Sequence, residues 1–126
     1  MRPSGPSGAY SSAFLDHLAH PRRQGSLGEP THCGEAVDAV CADRLTLDLR
    51  VEGGVVRDAR FRVEGCPGAI AVGSALASLV PGRAALASSI DAAELEAELG
   101  GVPPARRHAL RLALETWKTA LRSPVP

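Results

Sequence analysis

The fold is decided by residues 41–68, which read CADRLTLDLRVEGGVVRDARFRVEGCPG. Apolar and polar side chains alternate in two runs on either side of a Gly-Gly pair, and this period of two is typical of half-buried β-strands. The apolar positions of the two runs are Leu45, Leu47, Leu49 and Val51, and then Ala59, Phe61 and Val63. The pattern therefore predicts an antiparallel β-hairpin with one buried face.

The length of the turn decides which residues of the hairpin face each other. A two-residue Gly-Gly turn would pair Leu47 with Arg60 and mix the two faces. A three-residue loop with glycine in the left-handed conformation keeps apolar residues opposite apolar residues, so we predict that loop. The resulting register sets either Cys41 or Asp43 roughly opposite Gly65, with Cys66 next along the chain.

Three potential ligands therefore converge at one end of the hairpin, namely the thiols of Cys41 and Cys66 and the carboxylate of Asp43. Soft thiolate and hard carboxylate donors together indicate a metal site. Pro67 suits the first position of a helix and would put Cys66 at the N-cap, where the helix dipole favours a thiolate. The simpler interpretation is a buried cysteine that packs as a small hydrophobe.

The rest of the chain supplies helices and one further strand. Its 126 residues are enough for one domain with its own core. We predict an α/β (α+β) fold in which a small antiparallel sheet of about three strands packs against several helices. Residues 1–9 are predicted to be a disordered tail and residues 10–122 a single domain. The predicted elements besides the hairpin are a helix before Pro21, an edge strand over residues 36–40, a helix over residues 69–80, a helix from Asp91, and a last helix from Pro103-Pro104.

The composition argues against several classes of protein. The formal net charge is zero, which disfavours general nucleic-acid binding. No apolar run approaches the length of a membrane span, and the first residues contain no apolar signal core. The three cysteines are an odd number, so we expect free thiols in a reducing, cytoplasmic setting.

Further motifs occur in an order that is typical of one family. They are Tyr10, Asp16-His17, Pro21-Arg22-Arg23-Gln24-Gly25, Cys41-Ala42-Asp43, Ala59-Arg60-Phe61, Gly65-Cys66 and, over residues 103–113, Pro-Pro-Ala-Arg-Arg-His-Ala-Leu-Arg-Leu-Ala. In their order and spacing the chain resembles the U-type iron–sulfur cluster assembly scaffolds (IscU, SufU and the N-terminal domain of NifU), from about Tyr10 to about Leu121.

The resemblance implies a scaffold, not an enzyme, that binds iron and a transient iron–sulfur cluster of the 2Fe–2S type. A cysteine desulfurase would deliver the sulfur, and recipient apoproteins would take the cluster. It implies thiolate ligands at Cys41 and Cys66 and an oxygen ligand at Asp43. A carboxylate suits a soft cluster poorly, so Asp43 would keep the cluster transferable.

The chain departs from the family pattern at three positions. The third cysteine ligand of the family falls on Ala109, which has no donor atom, while Ala42 and Arg23 stand where the family has glycine and asparagine. We predict that His108, on the first turn of the last helix, replaces the missing ligand, and the alternative is a solvent-facing histidine. Cys33, expected in the loop before the hairpin, is the other possible substitute ligand.

Residues 102–106 lie where the family carries a docking peptide for an Hsp70-type chaperone. Val102, Pro103, Pro104 and Arg106 keep its apolar residue, two prolines and cation, so they are candidate docking residues. The interpretation that we prefer is a plain helix start, where Pro-Pro is ordinary.

Two further hypotheses stay open at this point. The first is a zinc-binding sulfur acceptor that stimulates a cysteine desulfurase, with Zn²⁺ on Cys41, Asp43, Cys66 and His108. The second is a metal-free interaction protein that has kept the fold and lost the chemistry, which the missing thiol at Ala109 would explain.

Overall fold

The structure is a computed structural model that describes residues 10–85 and 90–126. In these two ranges a three-stranded antiparallel sheet packs with four α-helices, which confirms the predicted α+β fold. None of their helices is long and apolar enough to cross a membrane. The predicted tail over residues 1–9 lies outside the described residues. The elements are α1 (Ser12–Ala19), β1 (His32–Val37), β2 (Arg44–Glu52), β3 (Val55–Glu64), α2 (Pro67–Leu79), α3 (Ala92–Glu98), a 3₁₀ turn (Pro104–Arg106) and α4 (His108–Leu121).

The hairpin of β2 and β3 has one of the two predicted registers, the one that sets Asp43 opposite Gly65, but not the predicted turn. Leu47 pairs with Phe61, so apolar residues face apolar residues. The connection is nevertheless a two-residue Gly53-Gly54 turn, with φ of 61° and 77° at the two glycines. Positive φ at both central positions is the geometry that a tight hairpin turn needs, and the predicted three-residue loop is wrong.

A β-bulge next to the turn restores the register. Val51 pairs with Val56, whereas Arg50 pairs with Asp58, so Arg57 is an extra residue on β3. One extra residue shifts all later pairs by one position. The bulge therefore keeps apolar residues opposite apolar residues, which the three-residue loop was expected to do.

The edge strand β1 begins and ends earlier than predicted. It covers His32–Val37 instead of residues 36–40, and Val37 pairs with Arg44 of β2. The chain turns directly after Val37, so residues 38–43 form the connection between β1 and β2 and are not part of a strand. This connection brings Cys41 and Asp43 to the same end of the sheet as Cys66.

The helices cover one face of the sheet. Helix α4 packs on β1 and β2, helix α2 packs on β3, and the two helices contact each other. Gly34 permits the close approach of α4, because a Cβ atom there would overlap the backbone of Ala120. The largest fully buried side chains include Phe14, Leu45, Leu47, Leu49, Phe61, Leu76, Leu95 and Leu99.

A buried histidine connects three helices. His17 of α1 is 4% exposed. Its Nδ1 lies 2.7 Å from the Ser74 hydroxyl of α2, and its Nε2 lies 3.0 Å from the carboxylate of Glu98 in α3. The network fixes α1 against the rest of the core.

Candidate metal centre

The loop between β1 and β2 presents Cys41. Two backbone hydrogen bonds of 2.7 Å close it, from Ala42 N–H to the Asp38 carbonyl and from Asp38 N–H to the Asp43 carbonyl. The Asp38 side chain adds an Asx turn, because its Oδ1 accepts the backbone N–H groups of Val40 at 2.7 Å and of Cys41 at 3.4 Å. Cys41 is therefore an exposed thiol on a well-bonded loop.

Asp43 and Cys66 form the first donor pair. Asp43 is 5% exposed. Its Oδ1 accepts the Cys66 backbone N–H at 3.0 Å, and its Oδ2 accepts the Cys66 thiol at 2.9 Å. Cys66 is the N-cap of α2 and Pro67 opens the helix, as predicted. Gly65 makes room for the pair, because a Cβ atom there would overlap the Asp43 carboxylate.

Cys41 and His108 form the second donor pair. His108 is the first residue of α4, and its Nε2 lies 3.6 Å from the Cys41 sulfur. Its other ring nitrogen, Nδ1, lies 2.5 Å from Oδ2 of Asp38. The histidine is thus turned toward the thiol and not toward open solvent.

Asp38 is the site residue that sequence reasoning missed. It is 6% exposed, and its two oxygens contact two different parts of the site. An aspartate in a loop favours an Asx turn, in which its side chain accepts a backbone N–H two residues on, so the contact with Val40 could have been predicted. The contact with His108, 70 residues further along the chain, could not.

The surroundings of Cys41 raise the pKa of its thiol. Desolvation raises the pKa of Cys41, and the neighbouring Asp43, Asp38 and Cys66 raise it further, while Arg106 acts in the opposite direction. Burial alone would raise the pKa of Asp38, but hydrogen bonds from His108 and from the backbone N–H groups of the loop outweigh it and lower that pKa. The resulting site combines an ionised Asp38 with a thiol that must lose its proton before it binds metal.

Cys33 lies apart from these donors. It is in strand β1, opposite Asp48 of β2, and not in a loop as expected. Asp48 and Asp43 are five residues apart, about 17 Å along a strand. Burial raises the pKa of the Cys33 thiol, and a hydrogen bond to Asp48 raises it further. The premise that a flexible loop could bring Cys33 to the site is therefore wrong.

The segment before α4 is only partly exposed. Val102 is 8% exposed and Pro103 is also buried, whereas Pro104 is exposed. Arg106 donates from Nε to the Tyr10 hydroxyl at 3.1 Å. Pro103 and Pro104 lead into the 3₁₀ turn, as a helix start would.

Ala109, at the position where the resemblance places a third cysteine, is 1% exposed and part of the core.

The four donors fit a thiophilic metal by chemistry, but they are not preassembled around one. Two thiols, one imidazole and one carboxylate form a mixed sulfur, nitrogen and oxygen set that suits iron or zinc. Within the described ranges, no three His, Cys, Asp or Glu side chains stand as a ready metal-binding group. The donors instead hydrogen-bond in two pairs, Asp43 with Cys66 and Cys41 with His108. Metal binding must therefore displace the thiol protons that these hydrogen bonds use.

Comparison with known proteins identifies the family. Residues 9–123 match the NifU-like N terminal domain. The chain is 39% identical over 114 residues to the bifunctional protein NifU/MnmA of Rubrobacter xylanophilus, a match that covers 88% of this chain and 23% of that protein. It is 34% identical over 116 residues to the iron-sulfur cluster assembly scaffold protein IscU of Aquifex aeolicus, covering 90% of this chain and 74% of that protein.

The fold agrees with this match. The crystal structure of the N-terminal part of a nitrogen-fixing NifU-like protein from Brucella abortus superimposes with a TM-score of 0.61 over 90% of each chain. Their sequences are 23% identical, so this likeness supports the fold alone.

Proposed function

This chain belongs to the family of NifU-like N-terminal domains, and we propose that it is an iron–sulfur cluster assembly scaffold, which binds iron and a transient cluster and passes the cluster to recipient apoproteins. The proposed ligands are Cys41, Asp43, Cys66 and His108. The proposal is supported above all by the two pairs that these donors form between three separate parts of the chain, Cys41 with His108 and Asp43 with Cys66, and by the charges of Asp43 and Cys66 that act on the Cys41 thiol.

The donor types account for a cluster that is held and then released. The thiolates of Cys41 and Cys66 are the soft ligands that iron and sulfide prefer. The carboxylate of Asp43 is a hard ligand, which water or the thiol of a recipient displaces more easily. An imidazole at His108 in place of a third thiolate leaves one fewer negative charge and raises the potential of the cluster.

The partners that we propose are a cysteine desulfurase and recipient apoproteins, met in a reducing cytoplasm. An open cleft of about 920 Å³, lined by Val37, Val40 and His108 among others, adjoins the ligands. Val40 is 72% exposed and Val37 is 53% exposed, so an apolar surface borders the site at which a partner must arrive. In residues 102–106, an Hsp70-type chaperone would find Pro104 and Ala105 exposed and Arg106 half-buried, but not Val102 and Pro103, which are buried.

Zinc is the second candidate cargo. Two cysteines, one aspartate and one histidine form a four-donor set of the kind that zinc accepts in tetrahedral sites. Under this alternative the chain would accept sulfur from a desulfurase without building a cluster.

The metal and acid-labile sulfide content of the chain, purified without oxygen, separates these functions. The scaffold function predicts iron and sulfide in roughly equal amounts after incubation with ferrous iron, cysteine and a desulfurase. Zinc that iron does not displace, without sulfide, would indicate the sulfur acceptor. Neither metal nor sulfide would indicate the metal-free interaction protein and contradict the proposal.

A further inference from the structure

We propose that Asp38 is a positioning residue of the metal centre, which holds His108 in the tautomer that leaves Nε2 free for metal and at the same time holds the loop that carries Cys41. The inference rests on the proposed function, in which Cys41 and His108 are ligands. It adds a residue outside the ligand set that links the two.

Each oxygen of the Asp38 carboxylate has a separate task. Oδ1 accepts the backbone N–H groups of Val40 and Cys41, and Oδ2 faces Nδ1 of His108. The side chain is 6% exposed, so water does not compete strongly for either oxygen. One buried carboxylate therefore determines the position of a thiol and of an imidazole that are far apart in sequence.

The contact with Asp38 fixes the tautomer of His108. An ionised carboxylate only accepts hydrogen bonds, so the facing nitrogen, Nδ1, must carry the proton. In a neutral imidazole the other nitrogen, Nε2, then has a free lone pair, and it points at the Cys41 sulfur 3.6 Å away. Neutral histidine side chains in water favour the opposite tautomer, so the carboxylate reverses the intrinsic preference.

The arrangement follows a general rule of metal centres. Histidine ligands usually donate their second ring N–H to a carboxylate or a carbonyl, which orients the ring and makes the ligating nitrogen more basic. In this chain the partner is Asp38, whose Oδ2 faces Nδ1 of His108. Asp38 thereby preorganises the half of the site that lies on α4.

The variant Asp38→Asn separates the two tasks. The amide oxygen of asparagine still accepts the N–H groups of the loop, as asparagine does in Asx turns. Its NH₂ group would face Nδ1 of His108 and donate to it, which forces the imidazole proton onto Nε2. The matched control is Asp91→Asn, because Asp91 also accepts a backbone N–H, from Glu94 at 2.9 Å, but caps α3.

The first measurement is the tautomer of His108 by nitrogen-15 NMR of the metal-free chain at neutral pH. We expect the Nδ1–H form in the parent and in Asp91→Asn, and the Nε2–H form in Asp38→Asn. An Nε2–H tautomer in the parent, or an unchanged Nδ1–H tautomer in Asp38→Asn, would overturn the proposal. The parent spectrum decides this even if the variant does not fold.

The second measurement is the binding of Co²⁺, followed by its visible absorption. Asp38→Asn should weaken binding by about 10–100-fold, and it should cause no further loss in a His108→Ala background, because the effect passes through His108. A further loss of the same size in that background would overturn the positioning role. An inverted tautomer with unchanged Co²⁺ affinity would overturn the role of Asp38 in the metal centre, because it would show that His108 is not a ligand.

Discussion

The Asp43 carboxylate holds Cys66 with both of its oxygens, one on the backbone N–H at 3.0 Å and one on the thiol at 2.9 Å. Two of the proposed ligands are thus hydrogen-bonded to each other. If both are ligands, loading would replace the thiol–carboxylate hydrogen bond by bonds to metal and would release the thiol proton. Unloading would restore the hydrogen bond, so Asp43 and the metal would compete for the Cys66 sulfur.

The first prediction concerns Asp43 and transfer. Asp43→Ala removes both the displaceable oxygen ligand and the acceptor that recaptures the Cys66 thiol, so an assembled cluster should move several-fold more slowly to an apoprotein. The measurement is the rate of cluster transfer, with Asp58→Ala as a control on the surface of the sheet. Equal rates for Asp43→Ala and the parent would mean that Asp43 has only a structural role.

The second prediction concerns Ala42 in the ligand loop. Among the described residues other than glycine, Ala42 and Arg23 alone have positive φ, 61° in both cases. The left-handed conformation costs an alanine about 1–2 kcal/mol, while the greater freedom of glycine in the unfolded chain costs about 0.4–1 kcal/mol. Ala42→Gly should therefore raise the free energy of unfolding by about 0.5–1 kcal/mol.

Urea unfolding measures this change, and Ala39→Gly in the same loop is the control. Ala39 does not have positive φ, so glycine there should lower the free energy of unfolding. If both variants were destabilised equally, the loop conformation described for Ala42 would be incorrect.

The third prediction concerns Asp48 and pH. Asp48 is 4% exposed and lies 2.8 Å from Arg62 Nη1. Burial tends to raise its pKa, but hydrogen bonds from Arg62, Cys33 and the Leu27 N–H outweigh burial and lower it. A lowered folded-state pKa stabilises the chain above the unfolded pKa of about 3.9, and this contribution is lost as the pH falls through the folded-state value.

Asp48→Asn should therefore lower the free energy of unfolding by about 1–3 kcal/mol at pH 7, and the difference from the parent should shrink as the pH is lowered below about 4. Unfolding by urea across this pH range measures the difference. If the difference in the free energy of unfolding between Asp48→Asn and the parent grew as the pH fell, the lowered pKa of Asp48 would be contradicted.

Local patterns were sufficient for the parts of the fold that depend on neighbouring residues. The alternation in the hairpin predicted that apolar residues face each other, with Cys41 or Asp43 opposite Gly65, and the structure has the second of these registers, in which Leu47 pairs with Phe61. Pro67 predicted the helix start and thus the N-cap position of Cys66. No residue around Arg57 indicates the β-bulge in the sequence. A longer turn without a bulge would give the same register, so the pattern of side chains could not distinguish the two.

Contacts between distant residues were not readable in the same way. The strand His32–Val37 contains Gly34, and glycine is more typical of loops than of strands. Glycine is needed there because any Cβ atom would overlap the backbone of α4. Cys33 was misplaced for that reason. Asp38 was missed because its contact with His108 depends on the packing of α4 against β1, which no local pattern reveals.

The most direct test of the central claim compares three cysteine variants in anaerobic cluster assembly with ferrous iron, cysteine and a desulfurase. All three thiols are free, and Cys33 is the matched control because it lies away from the two donor pairs. The proposed site predicts that the parent and Cys33→Ser develop charge-transfer absorption with roughly equal iron and labile sulfide, whereas Cys41→Ser and Cys66→Ser develop none. Full absorption in either Cys41→Ser or Cys66→Ser would contradict the proposed site.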